Sequence, residues 1–139
     1  MNKIWEPCNI YPTSNLGKNV NIGSFSEIGE GVVIGDNVRI GAMSFIPEGV
    51  TVEDGAWIGP RFTATNDRFP PSGREKWEPI LIKKGARIGA SVTILPGVTV
   101  GENALIGAGS VVCESVGNGE LWRGVPARYV RKLDDKEKL

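Results

Sequence analysis

The chain contains no histidine. That single absence removes His-ligated metal sites, His general bases and Ser-His-Asp triads. Cysteine is scarce: Cys8 and Cys113 are the only two among 139 residues. So few thiols argue against a disulfide scaffold and for a reduced, cytoplasmic setting. Neither sign of charge is in excess, with sixteen basic and sixteen acidic residues, so nothing implies a nucleic-acid or membrane-surface partner. No apolar run approaches the ~20 residues of a membrane span. The opening stretch Met1-Asn2-Lys3-Ile4-Trp5-Glu6-Pro7 lacks the apolar centre of a secretory signal. At this length one domain is expected.

What the chain does have is a period of six. An aliphatic residue falls at Ile4, Ile10, Leu16, Ile22, Ile28, Ile34, Ile40, Ile46, Val52 and Ile58, and again at Ile82, Ile88, Ile94, Val100, Ile106 and Val112. The two blocks share one register. The residue two positions earlier is small or β-branched, as at Ser26, Val32, Val38, Ser44, Ala86, Val92 and Ser110, and the next residue is often glycine. Cys8 occupies the same slot before Ile10 and is expected to be a buried small apolar group. A six-residue period fits neither a helix nor an ordinary strand and points to a hexapeptide-repeat β-helix. Each hexad is then a short strand plus a corner, three hexads close a triangular coil of eighteen residues, and residue n lies beside residue n+18. Ile22, Ile40 and Ile58 are thus expected to form one inward stack. Sixteen hexads predict about five coils, roughly 25 Å tall at the strand spacing. One coil cannot bury its own core, so stacking must do it.

The period fails between Ala64 and Pro79. Positions 64, 70 and 76 hold Ala, Pro and Lys, none of which is expected to plug the core. Prolines, charges and the aromatics Phe69 and Trp77 describe a loop extruded over about residues 64–79, and long loops in compact folds tend to carry function. The register of the return is open. If the hexad from Lys76 to Leu81 is already a side of the prism, with Ile80 in the small-residue slot, the loop shrinks to about 64–75. After Val112 the repeat ends. Residues 1–118 are assigned to the β-helix and 119–139 to a tail in which a short amphipathic helix from Ala127 onward caps the last coil. Arg123, Arg128, Arg131 and Lys132 gather cations there, either a solvated face or a phosphate site.

Three stretches carry a family resemblance. Ile88-Gly89-Ala90-Ser91-Val92-Thr93-Ile94-Leu95-Pro96-Gly97-Val98-Thr99-Val100-Gly101, Ile106-Gly107-Ala108-Gly109-Ser110-Val111-Val112 and Gly124-Val125-Pro126-Ala127-Arg128 resemble, in order, the coil after the loop, the last coil and the Gly-Asn-Pro-Ala-Arg ending of the hexapeptide-repeat acyltransferases, with Val125 in place of Asn. The resemblance implies a left-handed β-helix, a homotrimer, and acetyl-CoA as co-substrate without a metal. Many members that acetylate hydroxyls carry a catalytic histidine in the loop, where this chain has Thr65-Asn66-Asp67. The run from Glu48 through Ile58-Gly59-Pro60 to Thr65-Asn66-Asp67-Arg68-Phe69-Pro70 is similar to nucleotide-sugar N-acetyltransferases, which acetylate an amine on a UDP- or dTDP-linked sugar for surface polysaccharides. Glu48 and Arg68 are substrate contacts by that resemblance.

Chemistry leads in the same direction. A hydroxyl nucleophile needs a base, whereas a sugar amine is partly neutral near pH 7 and mainly needs orientation and oxyanion stabilisation. Asn66 is the first candidate, accepting a hydrogen bond from the amine through its side-chain carbonyl. Asp67 is the second, orienting the amine or taking its proton, with a plain Asx-type turn as the alternative. Ala90 and Ala108, eighteen apart, form a column of small residues along which a pantetheine arm can run close to the backbone. Lys83, Lys84, Arg123, Arg128 and Arg131 are candidates for the CoA phosphates. The alternative functions are an O-acetyltransferase with Asp67 as base and a non-catalytic assembly module. A γ-type carbonic anhydrase of this fold needs three histidines and has none to use.

Overall fold

The computed structural model describes residues 1–138; Leu139, the last residue of the expected tail, lies outside them. The chain winds into a three-faced parallel β-solenoid whose rungs are mostly two residues long. The first face stacks seven parallel rungs from Lys3–Ile4 to Glu120–Gly124, the second six from Asn9–Ile10 to Val111–Val112, and the third five from Asn15–Leu16 to Thr99–Val100. In each two-residue rung the second residue points inward, and in Val50–Val52 and Ile80–Ile82 the first and third do. Ile22, Ile40 and Ile58 pair in register up the first face as the period requires, and all three are buried. The small slot is equally regular: Ser26 and Ser44 are buried beside the corner, and both hydroxyls donate to the Gly41 carbonyl, at 3.3 and 2.7 Å.

The solenoid runs to about seven turns, six complete and a seventh begun, rather than about five. Two rungs lack the expected aliphatic residue. Thr63–Ala64 is a full rung of the second face, paired with Phe45 below and with Thr93 and Ile94 above. Its inward residue is only alanine, but Phe62 in the small slot is fully buried. The large and small positions have exchanged, so the coil keeps its volume while breaking the pattern. At the top, Val116 bridges Val100 and Trp122 pairs with Ile106. Both are spaced by sixteen residues instead of eighteen, which ends the period while the winding continues.

Past the top rung the tail corrects a second expectation. Ala127–Lys132 is a β-strand, antiparallel to Glu120–Gly124, and not a helix. The turn at Val125–Pro126 folds the chain back, Tyr129 pairs across from Trp122, and backbone pairing with the last rung satisfies groups that a helix would leave open. Ala127 and Leu133 are buried. Among the described residues of the tail, helical structure is confined to a 3₁₀ turn at Asp135–Glu137, whose Asp134 and Glu137 cap each other.

The loop occupies Thr65 to Pro79, between the rung Thr63–Ala64 and the rung Ile80–Ile82. Ile80 stands in the small slot opposite Val50, and Ile82 faces Val52. Across the loop the register offset is thirty, Thr63 to Thr93, so the insertion is a net twelve residues in one corner.

Candidate active site

The eighteen-residue ruler reaches further than the last regular hexad. Glu30, Glu48 and Asn66 stand one above another on the corner between the second and third faces. The Asn66 side-chain N–H₂ donates to the Glu48 backbone carbonyl at 2.9 Å, and the Asn66 backbone carbonyl accepts from the Glu78 amide at 2.8 Å. The side-chain amide of Asn66 is therefore held by its nitrogen end, and its oxygen has no hydrogen-bond partner among the described residues.

The loop folds down over this corner and the lower second face. It roofs a cavity of about 460 Å³ floored by Tyr11, Phe45 and Pro47, walled by Trp77 and Pro70, and edged by Glu27, Glu30, Glu48, Asn66 and Asp67. Two clasps hold the roof. Arg68 grips Glu78 with both arms at 2.7 and 2.9 Å and donates to the Pro96 carbonyl at 3.0 Å, which closes the stem of the loop against the next turn. Gly97 makes room for this clasp: its φ is +81, and a Cβ there would lie 2.9 Å from the Glu78 carboxylate. Arg74 bonds Glu48 at 2.6 and 3.0 Å and Glu30 at 2.9 Å, pinning the tip to two lower turns. The hydrogen bonds that Arg68 donates to the Glu78 carboxylate and Arg74 to the Glu48 carboxylate, with the charges behind them, hold both guanidinium pKa values above their ordinary value.

Asp67 is occupied within the loop. Its carboxylate accepts from the Ser72 hydroxyl, from the Ser72 amide at 2.9 Å and from the Phe69 amide at 3.3 Å. The Ser72 hydroxyl and amide, helped by Phe69 and the Trp77 side chain, pull its pKa below the ordinary carboxylate value. That environment favours a carboxylate that organises the turn, the Asx-type role.

The expected cofactor residues divide between corners. Ala90 and Ala108 stack on the corner between the first and second faces, where the Gly109 amide donates to the Ala90 carbonyl at 2.8 Å. Successive turns approach so closely there that a Cβ on Gly89 would lie 2.7 Å from the Ala108 nitrogen. Arg123 reaches the same corner, its Cβ 2.9 Å from where a Gly107 Cβ would stand. Arg128 pairs across from it and lies 3.6 Å from Glu114. Lys83 and Lys84 sit on the opposite corner, Lys84 beside Asp54 and Glu102. Arg131 is engaged by both oxygens of Glu137 at 2.6 and 2.7 Å, which lowers the Glu137 pKa to about 2. The structure thus brings together Asn66, Asp67 and Glu48 at one edge of the second face, and Ala90, Ala108, Arg123 and Arg128 at the other. Arg68 sits at the Asn66 corner but is spent on Glu78 and Pro96, and Lys83, Lys84 and Arg131 stand apart from both groups.

Glu27, Glu30, Tyr11, Phe45, Arg74 and Trp77 escaped the sequence reading. For four of them a signal existed. Counting back by eighteen from Asn66 gives Glu48 and Glu30, from Thr63 gives Phe45 and Glu27, and from Thr65 gives Pro47, Gly29 and Tyr11. The loop residues Arg74 and Trp77 carry no such mark.

The profile of the bacterial transferase hexapeptide family (six repeats) matches residues 13–48 and 79–114, two blocks that flank the loop. No curated protein matches the chain. Among solved structures, AntD, an N-acyltransferase from Bacillus cereus in complex with dTDP and 3-hydroxybutyryl-CoA, aligns with a TM-score of 0.84 at 27% identity over 94% of this chain and 79% of its own. A variant of GDP-perosamine N-acetyltransferase from Caulobacter crescentus, in complex with CoA and GDP-perosamine, aligns with a TM-score of 0.82 at 23% identity over 94% of this chain and 57% of its own. That second likeness is one of fold, and the chain spans little more than half the length of that protein. With the repeat, the stacked rungs and the profile match in agreement, the chain belongs to the bacterial transferase hexapeptide family, whose left-handed β-helix the solenoid fits.

Proposed function

We propose that the protein is an acetyl-CoA-dependent N-acetyltransferase that acetylates the amino group of a nucleotide-linked (UDP or dTDP) amino sugar for surface polysaccharide synthesis. The observation that carries this reading is the held Asn66: the residue lines the cavity and its nitrogen is committed to the Glu48 carbonyl, which leaves its oxygen free to accept from an amine N–H. Kinship with AntD, crystallised with dTDP and an acyl-CoA, supports both the donor and the nucleotide. In the reaction the amine nitrogen bonds to the thioester carbonyl carbon, the C–S bond breaks, CoA leaves as the thiolate, and nitrogen loses one proton. Asn66 orients the nitrogen for attack. Asp67 acts through the loop, holding Thr65-Asn66 in place by its bonds to Ser72 and Phe69. Its low pKa and full set of donors weigh against its serving as the base of an O-acetyltransferase.

The two groups of site residues lie on opposite edges of one face. A homotrimer with CoA in the groove between subunits accounts for this: the alanine column and Arg123 and Arg128 of one subunit would deliver the thioester to the loop cavity of the next. Free thiols at Cys8 and Cys113 suit a cytoplasmic enzyme, and no helix among the described residues is long and apolar enough to cross a membrane. The test is turnover of acetyl-CoA with UDP- and dTDP-amino sugars beside their hydroxyl counterparts. Acetylation of an amine and of no alcohol is expected. Acetylation of alcohols alone would replace this function with O-acetyl transfer, and failure to bind CoA by calorimetry would leave an assembly module.

A further inference from the structure

Four carboxylates edge the loop cavity, and among the described residues no lysine or arginine lines it. Three of the four are already engaged. Glu30 and Glu48 share the Arg74 guanidinium, and Asp67 is filled by Ser72 and Phe69. Glu27 differs. It projects outward from the second face on the rung Glu27–Ile28 and is half-buried. It takes a single hydrogen bond, 3.2 Å from the neutral Asn9 side chain below it, and has no ion pair among the described residues. Phe45 stands directly above it on the same face, so the carboxylate faces a partly apolar space where charge is poorly screened.

Resting on the proposed acetyl transfer to an amine, we infer that Glu27 is the residue that reads the charge of the acceptor. The acceptor nitrogen is cationic as an ammonium ion on arrival. It is cationic again once the neutral amine has attacked the thioester carbonyl and before its proton has left. Glu27 pairs with the nitrogen in both states. As the N–C bond forms and the C–S bond breaks, the proton on nitrogen passes to the Glu27 carboxylate and then to water, while CoA departs as the thiolate. Asn66 fixes the direction of the nitrogen and Glu27 compensates its charge, a division of labour that a hydroxyl acceptor would not need.

The experiment compares Glu27→Gln and Glu27→Asp with the wild type, using the amino sugar that the wild type acetylates fastest and its hydroxyl counterpart as a competitive ligand. Thermal melts should be unchanged, because the side chain lies outside the core. The wild type should bind the amine roughly tenfold or more tightly than the hydroxyl analogue, the scale of a charge-assisted contact. In Glu27→Gln that ratio should fall close to one, with the acceptor KM raised and the acetyl-CoA KM unmoved. Glu27→Asp, which keeps the charge, should recover part of the preference. A wild-type ratio retained in Glu27→Gln overturns the inference. A wild type that acetylates no amine at all would instead overturn the function on which it rests, so the two failures are distinct.

Discussion

Two successive turns of the solenoid do the same structural work with different residues. The lower one, through Arg39–Ile40, Phe45–Ile46 and Val50–Val52, follows the hexad: Ser44 in the small slot, Ile46 in the core, and a three-residue corner of Pro47, Glu48 and Gly49. The upper one, through Trp57–Ile58, Thr63–Ala64 and Ile80–Ile82, has Phe62 in the slot, Ala64 in the core and fifteen residues from Thr65 to Pro79 in the corner. Yet its rungs pair above and below without a break. The difference teaches that this fold demands filled volume and continuous backbone pairing, and leaves the corner free. A loop planted there starts and ends on rungs already held from both sides, and so inherits their rigidity.

The comparison is broken most completely by making the two corners alike. Deleting residues 67–78 together with Pro79→Gly leaves a three-residue corner that begins Thr65-Asn66 and matches Pro47-Glu48-Gly49 position for position. The substitution is needed because Gly49 has a φ of +95, which proline cannot adopt. The shortened protein should fold as an uninterrupted solenoid, with the circular dichroism and sedimentation behaviour of the parent, and show no measurable turnover. A protein that fails to fold would mean that the loop supports the prism rather than the reverse.

The exchange of large and small residues gives the next effect. Phe62→Ala should destabilise by about 3–5 kcal/mol, as for other buried aromatic truncations, because Ala64 cannot fill the space. Phe62→Ala combined with Ala64→Ile restores the hexad of the turn below and should recover much of that loss in urea unfolding. Equal stability of the single and double variants would refute the compensation.

Asn66→Ala tests the corner itself. Its turnover should fall by roughly a hundredfold, the lower end for losing one oriented hydrogen-bonding group at a reacting centre, with thermal stability close to the parent. The equivalent change on the regular turn, Glu48→Ala, spares the backbone carbonyl that holds Asn66 and leaves Arg74 with Glu30 as its one remaining partner among the described residues. It should act more weakly and on the acceptor KM rather than on turnover.

Legibility in the sequence follows the same division. The regular turns are readable because each inward position must carry a bulky aliphatic and each slot a small residue, so Ile22, Ile40 and Ile58 can be stacked on paper. Phe62–Ala64 is not readable, since volume is shared between two positions while a periodic template inspects each alone. The top turn hides behind a two-residue contraction, and the tail from Ala127 to Lys132 passes for a helix because its partner strand is set by tertiary pairing rather than local pattern. At the site, Asn66 and Glu48 stand out by the ruler and by likeness to relatives. The clasps by Arg68 and Arg74 are invisible, because nothing in a loop's spacing says where its tip will land.

The smallest effect concerns what keeps the inserted corner in shape. Hydrogen bonds from Ser72 and Phe69 hold the Asp67 pKa below its ordinary 3.8. A depressed folded-state pKa means that the carboxylate contributes loop stability in full above that ordinary value and loses it as pH falls through the lowered one. The regular corner at Pro47-Glu48-Gly49 has no such carboxylate-centred turn. On acidification below the ordinary 3.8, the backbone amide resonances of Ser72 and Phe69 should therefore shift together in NMR spectra, while those of Gly41 and Gly59, which donate to the carbonyls of Ile58 and Ile88, stay in place. Asp67→Asn should remove the transition and leave the prism amides untouched. If prism and loop amides moved in concert, the corner would be an integral part of the solenoid's cooperative unit, and the independence of loop and prism argued from the two turns would fail.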